Sequence, residues 1–307
     1  MIHHARTLSA AALLALLASC AAPRQPAPVP TAPLVPAPAA VPQVERQTLP
    51  PAPARFQFEG AIRQGGVVIG TAPEGVVAVN LNGEKITLAP DRRFLIAFDR
   101  DAPPTARISA TLSDGRSIDE TLTVAKGDWE IEHVDASRTG GRTSAEFRRL
   151  RPAELAAING ARARETGAEG WRQQFTWPVI GRISGRFGAQ RIYRGTPGSY
   201  HSGVDVAKPA GTPLVAPADG VVILATDHPF TLEGNLLMID HGMGLNSAFL
   251  HLSEISVREG ESVRRGQPIG RIGATGRATG PHMHWGMKWN DARIDPLLLA
   301  GPMPSRS

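Results

Sequence analysis

Between residues 56 and 134 the apolar positions come in short runs of β-branched and aromatic residues. These are Val67-Val68-Ile69, Val76-Val77-Ala78-Val79, Phe94 through Phe98, Ile108 through Leu112 and Thr121 through Val124. Turn-forming clusters separate them at Pro73-Glu74-Gly75, Asn82-Gly83, Pro103-Pro104 and Asp114-Gly115. Short strands at this spacing predict a small β-sandwich over residues 55–135. The period then changes. From Ser144 to about Thr166 the apolar residues Phe147, Leu150, Leu155 and Ile158 mark one helical face, with Pro152 interrupting or restarting the helix. Residues 136–170 are read as a helical connector whose apolar face packs on a neighbour. Strand-length runs return at 220–225, 235–240, 247–252 and 283–288, punctuated by Gly242-Met243-Gly244 and Glu259-Gly260. No helix-length amphipathic segment interrupts them, so residues 171–307 are predicted to be mainly antiparallel β. The expected fold is mainly β throughout, with one helical connector.

The first 54 residues follow neither pattern. Met1 to Arg6 is short and basic, and the apolar stretch from Leu8 to Ala18 is too short to span a bilayer, so residues 1–20 are read as a secretory signal peptide. Leu17-Ala18-Ser19-Cys20 resembles the lipobox of bacterial lipoproteins, and Cys20 is the only cysteine in the chain. That resemblance implies cleavage before Cys20, a diacylglycerol on its thiol and an acylated N-terminus. Several acyl chains anchor stably where a single one is marginal. Ala21 rather than aspartate follows, which in Gram-negative lipoproteins implies an outer-membrane protein facing the periplasm. Residues 21–54 read as a Pro-rich disordered linker, with 11 prolines from Pro23 to Pro53. At about 3.1 Å per residue it reaches up to roughly 100 Å.

Composition narrows the classes further. A chain of 307 residues is long enough for two domains, and 42% apolar with 20% charged residues excludes a wholly disordered protein. A single cysteine excludes a disulfide scaffold and a multi-cysteine zinc site. The net charge of +5 is uneven, with residues 54–135 at 9 − 13 = −4 and residues 171–307 at 14 − 10 = +4. The C-terminal excess suits an anionic polymer. There is no Lys/Arg cluster with interleaved aromatics and no groove-reading motif, so nucleic acid is not the expected partner.

Six of the nine histidines lie between 201 and 284. His201 and Asp205 form H-x3-D, His251 stands within Phe249-Leu250-His251-Leu252-Ser253, and His282 and His284 form H-x-H behind Gly280-Pro281. On a strand, residues i and i+2 share a face, so His282 and His284 can approach one ion together. Zinc favours imidazole and carboxylate, and a catalytic zinc keeps three protein ligands and one open position. The set therefore offers two histidines and one aspartate for a metal, with two histidines left for acid–base work. A lone buried histidine is most often a core residue bonded to backbone. Five such groups beside Gly203, Gly280 and Pro281 are not explained that way.

The stretch from about Trp177 to Pro296 resembles the lysostaphin-type (LytM-like) zinc metallopeptidases, which cut peptide bonds in bacterial peptidoglycan. The matching pieces are H-S-G-V-D, A-P-A-D-G-V-V, I-D-H-G-M-G, L-H-L-S, V-R-R-G-Q-P-I-G and G-A-T-G-R-A-T-G-P-H-M-H-W. They occur in the family's order across about two-fifths of the chain. The resemblance implies one Zn2+ per chain, held by His201, Asp205 and His284, with His251 and His282 as catalytic histidines outside the ligand set. It implies peptidoglycan peptide stems as substrate and a membrane contact through the lipid anchor, while divisome or wall-hydrolase partners stay unassigned. The family often has tyrosine two residues before the His251 position. This chain has Phe249 there, so a hydroxyl would have to come from Tyr193 or Tyr200. His241 reads as structural, and His228 and His133 have no assigned role.

Two other classes compete. Some relatives have lost these residues and act as silent adaptors or activators of other wall hydrolases, whereas all five residues are present here. A biotinyl- or lipoyl-like carrier needs an exposed lysine in a hairpin turn. Lys85 and Lys126 lie in the N-terminal region and Lys208 and Lys288 beside the expected site, which disfavours it.

Overall fold

The computed structural model describes residues 55–136 and 144–304, which belong to one compact unit. The expected signal peptide, Cys20 and the Pro-rich linker lie outside the described residues. Among the described residues no helix is long and apolar enough to cross a membrane. The architecture is mainly β, as the alternation of apolar runs and turns predicts.

Two antiparallel sheets build the N-terminal part. One has Gln57–Gly60, Val67–Thr71 and Arg93–Ala97 side by side, and the other has Glu84–Ile86, Val76–Leu81, Thr105–Leu112 and Ser117–Thr123. Alternation puts Val68, Phe94 and Ile96 of the first sheet and Val79, Ile108 and Ala110 of the second into one buried cluster. Ile131–Val134, counted with the N-terminal strands by sequence, instead pairs in parallel with Gln190–Tyr193, which lies beside Thr196–Pro197. Parallel partners are far apart in sequence and carry no hairpin signal, so this pairing is invisible in the pattern.

The C-terminal part is built on an eight-stranded antiparallel sheet, with a smaller one of Pro213–Val215, Pro268–Arg271 and Glu254–Ile255. Ser262–Val263, Gly220–Ala225, Asn235–Gly242, Leu245–Leu252, His282–Trp289, Gly203–Ala207 and Arg182–Gly185 follow one another in that order, and Ala292–Ile294 pairs with His282–Trp289. The observed central strands extend the expected runs by a few residues at their ends. Their mostly buried run pattern reflects cover on both faces.

One cover is α1 (Ala145–Arg162). It runs unbroken through Pro152, where sequence suggested a break. Ser144 caps the first turn by accepting from the Phe147 amide, and the second half is held by packing. The buried face also differs from the expected one. Ile158 and Ala161 pack on Ile223, Phe230, Leu236, Met238 and Ala248, whereas Phe147 and Leu150 are half-buried and Leu155 is exposed. A short helix α2 (Pro296–Ala300) follows, with Asp295 accepting from the Leu297 amide at its start. At five residues it falls below what periodicity detects.

Arg100 joins the N-terminal sheets to the loop that carries His201. Its guanidinium is buried and donates from Nε and Nη2 to the Gly188 carbonyl at 3.2 and 3.1 Å and to Gln190 Oε1 at 3.0 Å. It also stacks on Tyr200, 4.9 Å from the ring centroid. The Gly188 amide in turn donates to the His201 carbonyl, and the His201 amide to Ala189, each at 2.8 Å.

Candidate metal centre

The strands Gly203–Ala207 and His282–Trp289 are antiparallel neighbours in which Asp205 lies directly opposite His284. Side chains of directly opposed residues project from the same face and meet. His201, on the loop just before the first strand, completes the group. His201 Nε2 is 3.1 Å from Asp205 Oδ1 and 3.1 Å from His284 Nδ1, and His284 Nδ1 is 2.9 Å from Asp205 Oδ1. The close approach depends on two glycines. A Cβ on Gly203 would meet the Trp285 carbonyl at 2.5 Å and His284 Nε2 at 2.7 Å, and one on Gly185 would meet Asp205 Oδ2 at 2.6 Å.

The protonation pattern shows what this triangle is built for. His201 Nδ1 is 3.0 Å from the Arg186 carbonyl, which only accepts, so the ring proton sits on Nδ1 and the Nε2 lone pair faces the group. A lone pair, a carboxylate oxygen and a second ring nitrogen thus converge within 4.8 Å of one another. Ligands about 2.0–2.1 Å from one tetrahedral ion are separated by roughly 3.3 Å, so this donor set fits zinc. Burial alone would raise the Asp205 carboxyl, but hydrogen bonds from His201 and His284 overcome it and hold it well below the usual carboxylate range. Burial lowers His284, whereas the hydrogen bond with Asp205 outweighs burial at His201 and raises it.

His251 and His282 stand beside the triangle. Their rings are 5.0 Å apart by centroid, and His251 is 6.3 Å from His284. Leu250, not His251, is the register partner of His284, so regular alternation would turn His251 away from the group. A left-handed backbone at His251, φ 63°, reorients it. Its Nδ1 donates to the Thr275 carbonyl at 2.9 Å, and His282 Nδ1 donates to the Gly280 carbonyl at 2.8 Å. Both rings are thereby fixed with Nδ1 committed, and His282 Nε2 lies 3.8 Å from Asp205 Oδ1. Burial, the main cause, pushes His251 below the ordinary histidine range. Two openings flank the centre. His201 and Asp205 line an open cleft walled by Glu132 and Tyr193, and His284 lines a second cavity under α1.

The remaining sequence candidates separate clearly. Tyr193 and Tyr200 both line the cleft, but the Tyr200 hydroxyl is occupied, donating to Asp99 Oδ1 at 3.2 Å and accepting from Arg293 Nη1 at 2.9 Å. Phe249 is fully buried and stacks on Trp285. His241 is buried in a structural network, donating from Nδ1 to the Asp219 carbonyl and accepting at Nε2 from Ser247, each at 2.8 Å. His228 is exposed beside Asp227. Sequence reading missed the carbonyls of Arg186, Thr275 and Gly280. Backbone acceptors have no side-chain signature, although the flanking glycines marked the right loops.

Residues 199–296, which contain all five groups, match Peptidase family M23. The chain is 33% identical over 223 residues to the peptidoglycan DD-endopeptidase ShyA of Vibrio cholerae, covering 72% of this chain and 48% of ShyA. It is 41% identical over 130 residues to the DD-carboxypeptidase/endopeptidase Mpg of Neisseria meningitidis, covering 41% of this chain and 29% of Mpg. The chain therefore spans no more than about half the length of these relatives. A crystal structure of a Pseudomonas aeruginosa protein, described as a peptidase M23, superposes with a TM-score of 0.60 at 31% identity, over 78% of this chain and 95% of that one. Since that likeness runs through the N-terminal sheets as well as the histidine-bearing sheet, the chain belongs to peptidase family M23.

Proposed function

We propose that this chain is a zinc-dependent endopeptidase that hydrolyses the peptide crosslinks of bacterial peptidoglycan. The observation that carries the reading is the convergence of His201 Nε2, Asp205 Oδ1 and His284 Nδ1, with two oriented histidines alongside. His201, Asp205 and His284 would hold the ion. When bound, zinc supplies Lewis-acid polarisation of the scissile carbonyl and activation of water near neutral pH. The two neighbouring rings do the proton work. With Nδ1–H committed to backbone, His251 and His282 each present Nε2 to the reacting atoms. Between them they take a proton from the attacking water, deliver one to the leaving amine and stabilise the oxyanion. Burial of His251 keeps its ring neutral, and so able to accept a proton, below the ordinary histidine range.

Export and anchoring complete the proposal. The signal peptide and Cys20 would place the enzyme on the outer membrane facing the periplasm, with residues 21–54 spanning from lipid to wall. Cys20→Ser should then move the protein from the membrane to the soluble fraction, and unchanged membrane association would remove the anchor.

The test of the chemistry is digestion of purified peptidoglycan by the full chain, with the released fragments identified. Crosslinked dimeric muropeptides should become monomers with intact glycan. A strong chelator should stop the reaction and added zinc restore it. His201→Ala, Asp205→Ala and His284→Ala should lose zinc and activity together. His251→Ala and His282→Ala should keep stoichiometric zinc while activity falls about 10²–10⁴-fold. Shortened glycan strands, or indifference to chelation, would sink the proposal.

A further inference from the structure

A cavity of about 320 Å³ lies between α1 and the sheet, with His284 in its wall. Its floor is apolar, formed by Leu236, Met238, Ala248 and Leu250. Its charged lining has Arg162 from the last turn of α1, Lys288 from His282–Trp289 and Arg293 from Ala292–Ile294, together with Arg151 and Glu233, which pair with each other.

These charges are poorly compensated. Arg162 Nε is buried and has no hydrogen-bond partner among the described residues. The nearby Glu233 carboxylate is taken by Arg151, which grips it through two bonds of 2.6 and 2.8 Å. Lys288 Nζ reaches Asp291 only at 3.5 Å, and that aspartate is fully exposed. Arg293 is better served, donating to the Tyr200 hydroxyl with the Asp99 and Asp101 charges nearby. Burial is the main cause that pushes both Arg162 and Lys288 down; Arg293 repels both and Arg162 repels Lys288, which the attraction of Glu233 for Arg162 and of Asp291 for both does not offset. The cations thus outnumber the one carboxylate in the cavity wall, Glu233, which Arg151 already holds, and partly buried cations in such excess are costly unless an anion binds.

The floor also connects this lining to the metal centre. Residues 284, 286 and 288 share one face of their strand, and Gly286 leaves the surface between the other two free of side chain. At about 3.4 Å per residue, Lys288 stands roughly 14 Å along the strand from His284.

We propose that this cavity is a substrate subsite for an aliphatic side chain ending in a free carboxylate, its methylenes on the apolar floor and its carboxylate held by Arg162 and Lys288. This deepens the reading of the chain as a stem-peptide endopeptidase and rests on it. Stem peptides carry free carboxylates on aliphatic residues such as diaminopimelate. The planar guanidinium of Arg162 matches a carboxylate two-pronged, and Lys288 adds a point charge. The subsite would read a branch of the substrate away from the scissile bond, and so set which stems are cut.

The experiment uses the full chain and two synthetic crosslinked stem peptides, identical except that the diaminopimelate carboxylate is free in one and amidated in the other. The wild type should show a KM lower by about 10- to 100-fold for the free acid, the scale of hydrogen bonds to charged groups. Arg162→Gln and Lys288→Gln should each shrink that preference towards unity by raising KM for the free acid. A wild type that does not discriminate overturns the subsite, as does a preference that persists in both variants. Cleavage of neither peptide would instead sink the endopeptidase reading. Calorimetric titration of the wild type with the two uncut peptides then decides the subsite: tighter binding of the free acid supports it, and equal affinity overturns it.

Discussion

At the scale of single residues, histidine environments divide the work. His241 is sealed in the core, and burial depresses its pKa to about 4 despite the Asp219 carbonyl, which works the other way. In the unfolded chain the same ring titrates near 6.5, so between those values the unfolded state binds more protons and stability falls as pH falls. The loss is complete only near pH 4 and amounts to about 3 kcal/mol at 1.36 kcal/mol per unit. Melting curves from pH 7 to 4 should show this decline, and His241→Gln should flatten it. An equally steep decline in the variant would assign the acid sensitivity elsewhere. The five residues of the proposed site, three of which the structure gathers within 4.8 Å, were legible because side-chain chemistry marks them in the sequence. The device that aims two of them was not, since a carbonyl such as that of Thr275 looks the same at every position.

Among the elements, α1 is the one whose attachment is polar as well as apolar. Glu154 is buried, yet its carboxylate accepts from the Thr231 amide at 2.6 Å and hydroxyl at 2.7 Å and pairs with Arg151. Removing it leaves the two Thr231 donors unanswered and takes away one of the two carboxylates that Arg151 holds. Glu154→Ala should destabilise the protein by about 2–4 kcal/mol, read by chemical denaturation. Amide exchange should show residues 145–162 opening first, and uniform loosening of the whole unit would contradict a local role. The helix itself was legible from its 3.6-residue period, whereas its buried face was not. A glutamate eight residues from its C-terminal end reads as solvent-facing until Thr231, 77 residues away, is known to meet it. The central antiparallel strands were legible from their apolar runs. The strand Ile131–Val134 was not, because its parallel partner lies 59 residues on.

For the whole molecule, the boundary drawn by sequence at residue 171 cuts through packed surface. Ile158 and Ala161 cover Phe230, Leu236 and Met238, and Arg100 reaches into the loop before His201. A fragment of residues 171–307 should therefore expose an apolar face and lose support for that loop. It should bind more hydrophobic dye than residues 55–307 and melt lower. Equal dye binding and equal melting would show that the sheet is self-sufficient.

The left-handed backbone at His251 sets a conflict between durability and turnover. At φ 63° any residue with a Cβ is disfavoured, and glycine is the one that fits without strain. Glycine, however, carries no ring, and the proposed mechanism needs one here to transfer a proton. On that mechanism the position is held by a residue that the local backbone would reject, and no substitution relieves the strain without removing the chemistry. Of two variants without the ring, His251→Gly should be more stable than His251→Ala by about 1 kcal/mol, the reverse of their order in an ordinary strand. A selection for thermal stability alone would drift towards a sturdier chain that can no longer catalyse.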